Sequence, residues 1–196
     1  MISALILAAG ESKRMGRPKM LLPWGNTTVL GHVISTYKSA GVEEILVVTG
    51  GAHEQIEEIV NLHKVRSVFN EQYAGGEMLS SLQRGLQVLL PNRDTVQAAL
   101  IGLGDQPQVQ TRTVQVICEA YRSRPSQLIV PSFQMRRGHP WLVENSLWQE
   151  LLEMKTPQSP RDFLSSHAGG IRYVEVDTPS ILADLDTPED YQNARP

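Results

Sequence analysis

Short apolar runs alternate with amphipathic segments along the first two thirds of the chain, and this alternation restricts the fold more than any other feature. The runs have the length of strands, and the segments between them repeat their apolar residues at helical spacing. Strands separated by helices build a mainly parallel sheet with helices on both faces. Strands are predicted over residues 2–7, 45–48, 65–69, 98–103 and 128–131, and helices over residues 28–40, 53–62, 77–90 and 111–121.

The rest of the chain has a weaker pattern. Residues 133–138 are typical of a short turn between two antiparallel ribbons, helices are predicted over residues 146–154 and 160–166, and residues 171–176 form a late edge strand. Neither a repeat nor a linker divides the sequence, so its 196 residues are most simply one domain. The predicted fold is therefore α/β: a three-layer α/β/α, Rossmann-like arrangement whose mainly parallel sheet has a small antiparallel portion.

The composition is that of an ordinary globular protein, with 41% hydrophobic and 20% charged residues. No apolar run approaches the roughly 20 residues of a membrane span. The net charge of -3 gives no support for nucleic acid as a partner. The single cysteine, Cys118, lies in an apolar helix pattern that favours a core thiol over a nucleophile. It cannot form an internal disulfide, and the start of the chain lacks the charged segment of a signal peptide, so we expect a cytoplasmic protein without a membrane partner.

A loop rich in glycine and positive charge follows the first predicted strand. Its glycines, Gly10 and Gly16, allow backbone N–H groups to approach a ligand closely. No acidic residue occurs between Glu11 and Glu43. A positive glycine loop of this kind is suited to a polyphosphate, although a basic surface loop between a strand and a helix has the same composition. The cations of the loop are Lys13, Arg14, Arg17 and Lys19.

The spacing of this loop excludes two better-known phosphate-binding motifs. A Walker A loop has four residues between its glycines and then Lys with Ser or Thr, whereas five residues separate Gly10 from Gly16, and Arg17 follows. A dinucleotide-binding loop needs G-x-G-x-x-G and an acidic residue at the end of the second strand. This chain has neither, because its second predicted strand runs into Thr49 and two glycines.

The loop resembles the signature of the MobA-like nucleotidyltransferases, L-A-[AG]-G-x-S-x-R-M-G-x-x-K. Ala9 and residues 20–24 are similar to the molybdenum cofactor cytidylyltransferase branch of that family, since the guanylyltransferase branch usually has glycine in place of Ala9. Residues 104–107, 138–140 and 184–190 resemble further blocks of the family and follow its order. The residues that match the signature are Leu7, Ala8, Gly10, Ser12, Arg14, Met15, Gly16 and Lys19.

This resemblance implies a nucleotidyltransferase fold and a division of roles. It implies a nucleotide-binding half over about residues 1–107, and a half over about residues 108–196 that binds the acceptor and supplies a second metal ligand. Lys19 would contact the α-phosphate and Arg14 the β- and γ-phosphates, and both would act in catalysis with Asp105. The implied nucleotide-binding residues are Leu7, Ala8, Ala9, Gly10, Ser12, Arg14, Met15, Gly16, Lys19, Gly76, Ser80 and Asp105.

The loop over residues 70–81 joins the third predicted strand to a helix and carries two glycines and two serines. It resembles the family loop that contacts nucleotide and acceptor. That resemblance implies Gly76 and Ser80 as contacts of the nucleotide and Ser81 as a contact of the acceptor. A turn and a helix cap explain the same residues almost as well.

Residues 136–140 could bind the acceptor. A phosphorylated acceptor, such as the terminal phosphate of molybdopterin, needs cations and donors of its own, and Arg137 and His139 could supply them. The triplet that includes His139 is also similar to the family's acceptor motif. A structural role explains this histidine equally well.

Three aspartates are candidate ligands for Mg²⁺. Asp105 lies where a buried strand opens into a turn, a position that suits Mg²⁺ but is common for any turn aspartate. Asp184 and Asp186 alternate around Leu185, so both would lie on one face of an extended segment. In the resembled family this segment supplies a second metal ligand; Asp186 is favoured, but the sequence does not separate it from Asp184. Thr187 starts a predicted helix and caps it.

The predicted function is nucleotidyl transfer that depends on Mg²⁺. The resemblance implies CTP and the molybdenum cofactor (molybdopterin) as substrates, and it implies contact with the maturation factors of molybdoenzymes. A guanylyltransferase or a sugar-phosphate nucleotidyltransferase of the same fold is an alternative, and so is a regulatory module that binds nucleotides without catalysis. An NAD-dependent oxidoreductase is disfavoured because its fingerprint is missing. The base, the acceptor and the oligomeric state are left undetermined.

Overall fold

The computed structural model describes residues 1–75 and 78–196. Most of its strands lie in one sheet, and two form a separate hairpin. The strands are β1 (Ile2–Ala8), β2 (Pro23–Trp24), β3 (Thr27–Thr28), β4 (Glu44–Thr49), β5 (Arg66–Phe69), β6 (Ala98–Leu103), β7 (Leu128–Phe133), β8 (Arg136–Arg137), β9 (Trp141–Glu144) and β10 (Ile171–Glu175). The α-helices are α1 (Val29–Ser39), α2 (His53–Leu62), α3 (Met78–Leu89), α4 (Thr111–Ser123), α5 (Trp148–Glu153), α6 (Pro160–Ser166) and α7 (Pro188–Ala194).

The main sheet has the strand order β10-β7-β9-β6-β1-β4-β5, and β8 pairs with β7. β1 pairs in parallel with both β4 and β6, and β5 pairs in parallel with β4. β9 runs antiparallel between β6 and β7, while β10 pairs in parallel with β7 at the edge. The prediction of a mainly parallel sheet with a small antiparallel portion is confirmed.

Alternate residues of β1 enter two cores on opposite faces of the sheet. Ala4 and Ile6 pack in the core covered by α1, α2 and α4, whereas Leu5 and Leu7 pack in the core covered by α3, α5 and α6. The alternation arises because successive side chains of a strand point to opposite faces. Helices therefore cover both faces, as the three-layer prediction requires. None of the described helices is long and apolar enough to span a membrane.

A third, smaller core joins the N-terminal loop to the C-terminal segment. Leu185, at its centre, is fully buried. Tyr191 Oη donates a hydrogen bond of 2.7 Å to the carbonyl oxygen of Pro23. This core holds the segment before α7, including Asp186, against the start of the chain. Its buried members are Met15, Leu22, Trp24, Val29, Leu185 and Tyr191.

Each helix predicted above is present in the described part of the chain, with its ends within about two residues. Thr28 and Thr187 cap α1 and α7 through their side chains, and the predicted start of α7 is confirmed. Position 77 of the predicted third helix lies outside the described residues. β8, β9 and the β2–β3 hairpin were not predicted, and β8 lies within residues 133–138, which were predicted as a turn. They are short, and β9 is held by pairing on both its edges, which no local pattern indicates.

Candidate active site

The glycine loop and Asp105 meet at the end of the sheet where the carboxyl ends of its parallel strands lie. The loop follows β1 and Asp105 follows β6, and these two strands are parallel neighbours, so their carboxyl ends lie side by side. The N–H of Gly104 donates a hydrogen bond of 2.9 Å to the carbonyl oxygen of Leu7 just before both loops. Ligands of open α/β sheets bind beyond the carboxyl ends of the strands, so this end is the expected place for a site.

The glycine loop is shaped by two residues in the left-handed region of the backbone. Ser12 (φ 54°) and Gly16 (φ 70°) flank a 3₁₀ turn over Lys13–Met15. Glycine adopts this conformation at little cost, which accounts for its presence at position 16. The N–H of Lys19 donates a hydrogen bond of 3.1 Å to Ser12 Oγ. The two ends of the turn are thereby tied together, and Lys19 is held at the base of the loop.

Lys19 lies between two carboxylates. Its Nζ donates a hydrogen bond to Asp105 Oδ2 and another, of 3.3 Å, to Asp186 Oδ1. Arg14 forms an ion pair of 2.9 Å with Asp186 Oδ2. The side chain of Lys19 is 11% exposed and that of Arg14 is 72% exposed. Burial alone would lower the pKa of Lys19, but the attraction of both aspartates outweighs it and raises the pKa, so the ammonium stays charged.

Asp184 has different neighbours from Asp186. Its Oδ1 accepts a hydrogen bond of 2.7 Å from Nε2 of the buried Gln106. The N–H of Leu185 donates to the carbonyl oxygen of Asp105 at 3.1 Å. Partial burial and the nearby charge of Asp105 raise the pKa of Asp184. Asp186 therefore faces the cationic loop, while Asp184 faces Gln106, whose role the sequence did not indicate.

A cavity of about 190 Å³ opens beside this charged cluster. Because five of the residues that the resemblance predicts as nucleotide contacts line it, we call it the nucleotide cavity. It brings together six residues that the sequence singled out: Leu7, Ala9, Gly10, Lys19, Ser81 and Asp105. Four further residues complete the lining: Met20, Tyr73, Met78 and Leu103. The first three lie in segments that resemble the family, but none of the four was named as a contact, because their apolar or aromatic side chains resemble ordinary core positions.

The remaining predicted contacts of the nucleotide lie off the described lining of this cavity. Ala8 and Met15 are buried in cores. Asn70 Nδ2 donates hydrogen bonds of 3.0 Å to Ser80 Oγ and 3.1 Å to Ser81 Oγ, so both serines also have structural partners. Gly76 lies outside the described residues.

A larger cavity of about 750 Å³ adjoins the nucleotide cavity, and Met78 lines both. We call it the acceptor cavity after the contacts predicted for it from the sequence. Arg137 and His139, the two acceptor contacts suggested above, both line it. Arg161 of α6 lines it as well. The sequence could not indicate Arg161, because a single cation on a short helix is indistinguishable from solvated surface charge.

His139 is neutral at pH 7, because burial lowers its pKa to about 4. Its backbone N–H donates a hydrogen bond of 3.1 Å to the carbonyl oxygen of Ile181. This backbone hydrogen bond holds His139 in place, and its uncharged imidazole forms part of the cavity wall.

Replacing His139 with Gln is expected to reduce the loss of unfolding free energy that occurs as the pH falls below 7. The unfolded histidine titrates near pH 6.5 and the folded one near pH 4, so unfolding takes up a proton between these values and stability falls as the pH decreases. For this shift the loss amounts to up to about 3 kcal/mol. Urea unfolding at pH 7, 5.5 and 4.5 measures it. If the free energy of unfolding falls equally with decreasing pH in the variant and in the wild-type protein, the prediction is wrong.

Cys118 lies far from this chemistry. It lies on the buried face of α4, and burial raises the pKa of its thiol to about 11, so the thiol is protonated at neutral pH. It also lines a cavity of about 380 Å³ with Met1 and Gln97, near the amino ends of β1 and β6 and thus at the opposite end of the sheet from Asp105. The prediction of a core thiol is confirmed.

A family model for the MobA-like NTP transferase domain matches residues 4–171. The chain belongs to this family. The match includes the glycine loop and Asp105 and ends at the start of β10, so the segment that carries Asp186 lies beyond it. The MobA-like chain is thus a nucleotidyltransferase, and the resemblance noted in its loop is confirmed.

Similar proteins extend the comparison over the whole MobA-like chain. A molybdenum cofactor cytidylyltransferase of Escherichia coli is 28% identical over 194 residues, which cover 99% of this chain and 95% of the relative. A nicotine blue oxidoreductase of Paenarthrobacter nicotinovorans is 27% identical over 195 residues, which cover 96% of this chain and 93% of the relative. The crystal structure of Mycobacterium tuberculosis Rv0371c superimposes with a TM-score of 0.84 at 29% identity, covering 98% and 96% of the two chains. The mycobacterial protein has also been solved in complex with manganese.

Proposed function

We propose that this protein transfers CMP from CTP to the terminal phosphate of molybdopterin and releases pyrophosphate. The observation that carries the proposal is the cluster in which Lys19 lies between Asp105 and Asp186 beside the glycine loop. Similarity over nearly the full length to a protein named molybdenum cofactor cytidylyltransferase supports CTP and this acceptor. The product would pass to the maturation factors of molybdoenzymes.

Asp105 and Asp186 suit Mg²⁺ as its protein ligands. Mg²⁺ prefers oxygen and is usually held by one or two carboxylates, with phosphates and water in the other positions. We choose Asp186 over Asp184 because Asp184 is engaged by Gln106. The manganese complex of the mycobacterial relative supports a divalent cation, whose charge would offset that of the triphosphate.

The cations of the loop then have distinct roles. Lys19 holds the α-phosphate and Arg14 the β- and γ-phosphates, so positive charge surrounds both the reacting centre and the leaving group. An oxygen of the acceptor phosphate attacks the α-phosphorus, the bond to the bridging oxygen of the β-phosphate breaks, and pyrophosphate leaves. The attacking phosphate is already ionised at neutral pH, so no general base is required.

The similarity to a protein named nicotine blue oxidoreductase makes redox catalysis a second candidate. Two features of the site argue against it. The loop lacks the glycine pattern of a dinucleotide site, and hydride transfer does not require a buried lysine between two carboxylates. Nucleotidyl transfer uses each of these groups, and we therefore place it first.

The test is pyrophosphate release from CTP, GTP, ATP or UTP, each with Mg²⁺ and molybdopterin. We expect kcat/KM for CTP to exceed that for each other nucleotide by at least about tenfold, a difference of roughly 1.4 kcal/mol in transition-state binding. Release should require Mg²⁺, nucleotide and acceptor together. A preference for GTP would make the protein a guanylyltransferase, and no release from any nucleotide would overturn molybdopterin as the acceptor. Oxidation of NADH or NADPH with an electron acceptor would instead favour redox catalysis.

A further inference from the structure

The acceptor cavity has an unbalanced positive charge. Three arginines line it: Arg136 and Arg137 from β8, and Arg161 from α6. Among the residues that the structure describes, no Asp or Glu lines the same cavity. The neutral His139 does not change this balance. A cavity whose charged lining residues, within the ranges 1–75 and 78–196, are all cations is suited to an anionic ligand.

Arg137 is engaged by the protein itself. Its Nε donates a hydrogen bond of 2.9 Å to Tyr173 Oη, and one terminal nitrogen donates to the carbonyl oxygen of Leu164 at 3.4 Å. Its guanidinium carbon also lies 5.6 Å from the centroid of the Tyr173 ring, within the range of a cation–π contact. These contacts tie β8 to β10 and α6, so Arg137 has a structural role.

Arg136 and Arg161 differ from Arg137 in this respect. Neither side chain forms an ion pair or a hydrogen bond with another residue of the described ranges 1–75 and 78–196. Hydrogen bonds from Ser159 and, to a lesser extent, the charge of Arg161 lower the pKa of the neighbouring Asp162, but Asp162 forms no ion pair with Arg161. Its carboxylate caps α6 instead and accepts hydrogen bonds of 2.8 Å from the N–H and 2.7 Å from the Oγ of Ser159. Both guanidinium groups are therefore available to a ligand.

We propose that Arg136 and Arg161 bind an anionic group of the acceptor that is separate from its reacting phosphate. The inference rests on the proposed function, because it is the acceptor of that reaction that fills the cavity. The attacking phosphate of the acceptor must lie near the α-phosphate of CTP, and so near Lys19, which lines the nucleotide cavity. Met78 alone is common to the described linings of the two cavities. The arginine pair lines the acceptor cavity and not the nucleotide cavity, so an anion held there is assigned to a second group of the acceptor. The acceptor is a phosphate ester with a further negative group at its other end.

The experiment uses the full chain with inorganic sulfate as the probe. Sulfate is titrated calorimetrically into protein saturated with CTP and Mg²⁺, so that the cations of the glycine loop are already occupied. We expect the wild-type protein to bind one sulfate, Arg136→Gln and Arg161→Gln each to weaken it about tenfold, and the double variant to lose it, as for charge-assisted hydrogen bonds to an oxyanion. Arg93→Gln, an exposed arginine outside the cavity lining, is the matched control and should bind sulfate like the wild type.

Steady-state kinetics give the second measurement. The KM for molybdopterin should rise about tenfold with each substitution of the pair, since each removes one charged contact, while the KM for CTP stays within about twofold. Arg137→Gln should lower the melting temperature without abolishing sulfate binding. Sulfate that competes with CTP rather than with the acceptor, or that binds the double variant as well as the wild type, would overturn the inference. Absence of pyrophosphate release would count against the proposed function alone, because the sulfate titration needs no turnover.

Discussion

Asp105→Asn is expected to lower kcat for pyrophosphate release by at least about 100-fold, the scale seen when one electrostatic contact to a transition state is removed. The substitution keeps the size of the side chain and removes the negative charge that faces Lys19. It thereby takes away a proposed ligand of the divalent cation. Because Lys19 keeps Asp186 as a partner, the fold should persist. Initial rates at saturating CTP and acceptor measure the effect, with circular dichroism to verify folding.

Asp94→Asn is the matched control for this variant, because Asp94 is exposed in the turn before β6. Its activity should stay within about twofold of the wild-type value, as is usual for surface substitutions. An active Asp105→Asn protein in the presence of Mg²⁺ would contradict the proposed metal site. An Asp105→Asn protein that is inactive because it is unfolded would be recognised by its circular dichroism spectrum, and Asp105→Glu, which keeps the charge, would then test the same point.

Lys19→Gln is expected to reduce kcat/KM for CTP by about 100- to 1,000-fold, because it removes a nearly buried cation from the position assigned to the α-phosphate. A second effect follows from the geometry. Without the ammonium, the carboxylates of Asp105 and Asp186 lose the buried charge that lies between them, so each becomes more available to another cation. The rise in melting temperature caused by Mg²⁺ should therefore be larger in Lys19→Gln than in the wild-type protein.

The neighbouring Lys13 provides the control for this variant. Its side chain is 75% exposed and pairs with Glu11 at 2.8 Å, and it occupies a variable position of the loop signature. Lys13→Gln should keep kcat/KM within about threefold, since an exposed ion pair contributes little. Loss of activity in Lys13→Gln comparable to that in Lys19→Gln would mean that the net charge of the loop, rather than the placement of Lys19, determines activity.

Much of the fold could be predicted because its signals are local. A strand's alternation, a helix's spacing and a cap such as Thr187 depend on residues within a few positions of one another, and each prediction of this kind is confirmed in the described residues. β9 escaped prediction because its four residues become a strand only through pairing with β6 and β7. A strand stabilised from both edges needs no strong pattern of its own.

The sequence by itself determined the class of fold, the family signature of the glycine loop and the set of charged residues available for chemistry. The tertiary structure alone decided which of them meet. Lys19 and Asp186 lie 167 positions apart, and the third core around Leu185 brings them into contact while turning Asp184 toward Gln106. It likewise separated Arg137, engaged by Tyr173, from Arg136 and Arg161, whose side chains have no ion pair or hydrogen bond within the described part of the chain. The physical reason is that charges interact through space, and the packing of the apolar residues around them sets the distances between charged side chains that are far apart in the sequence.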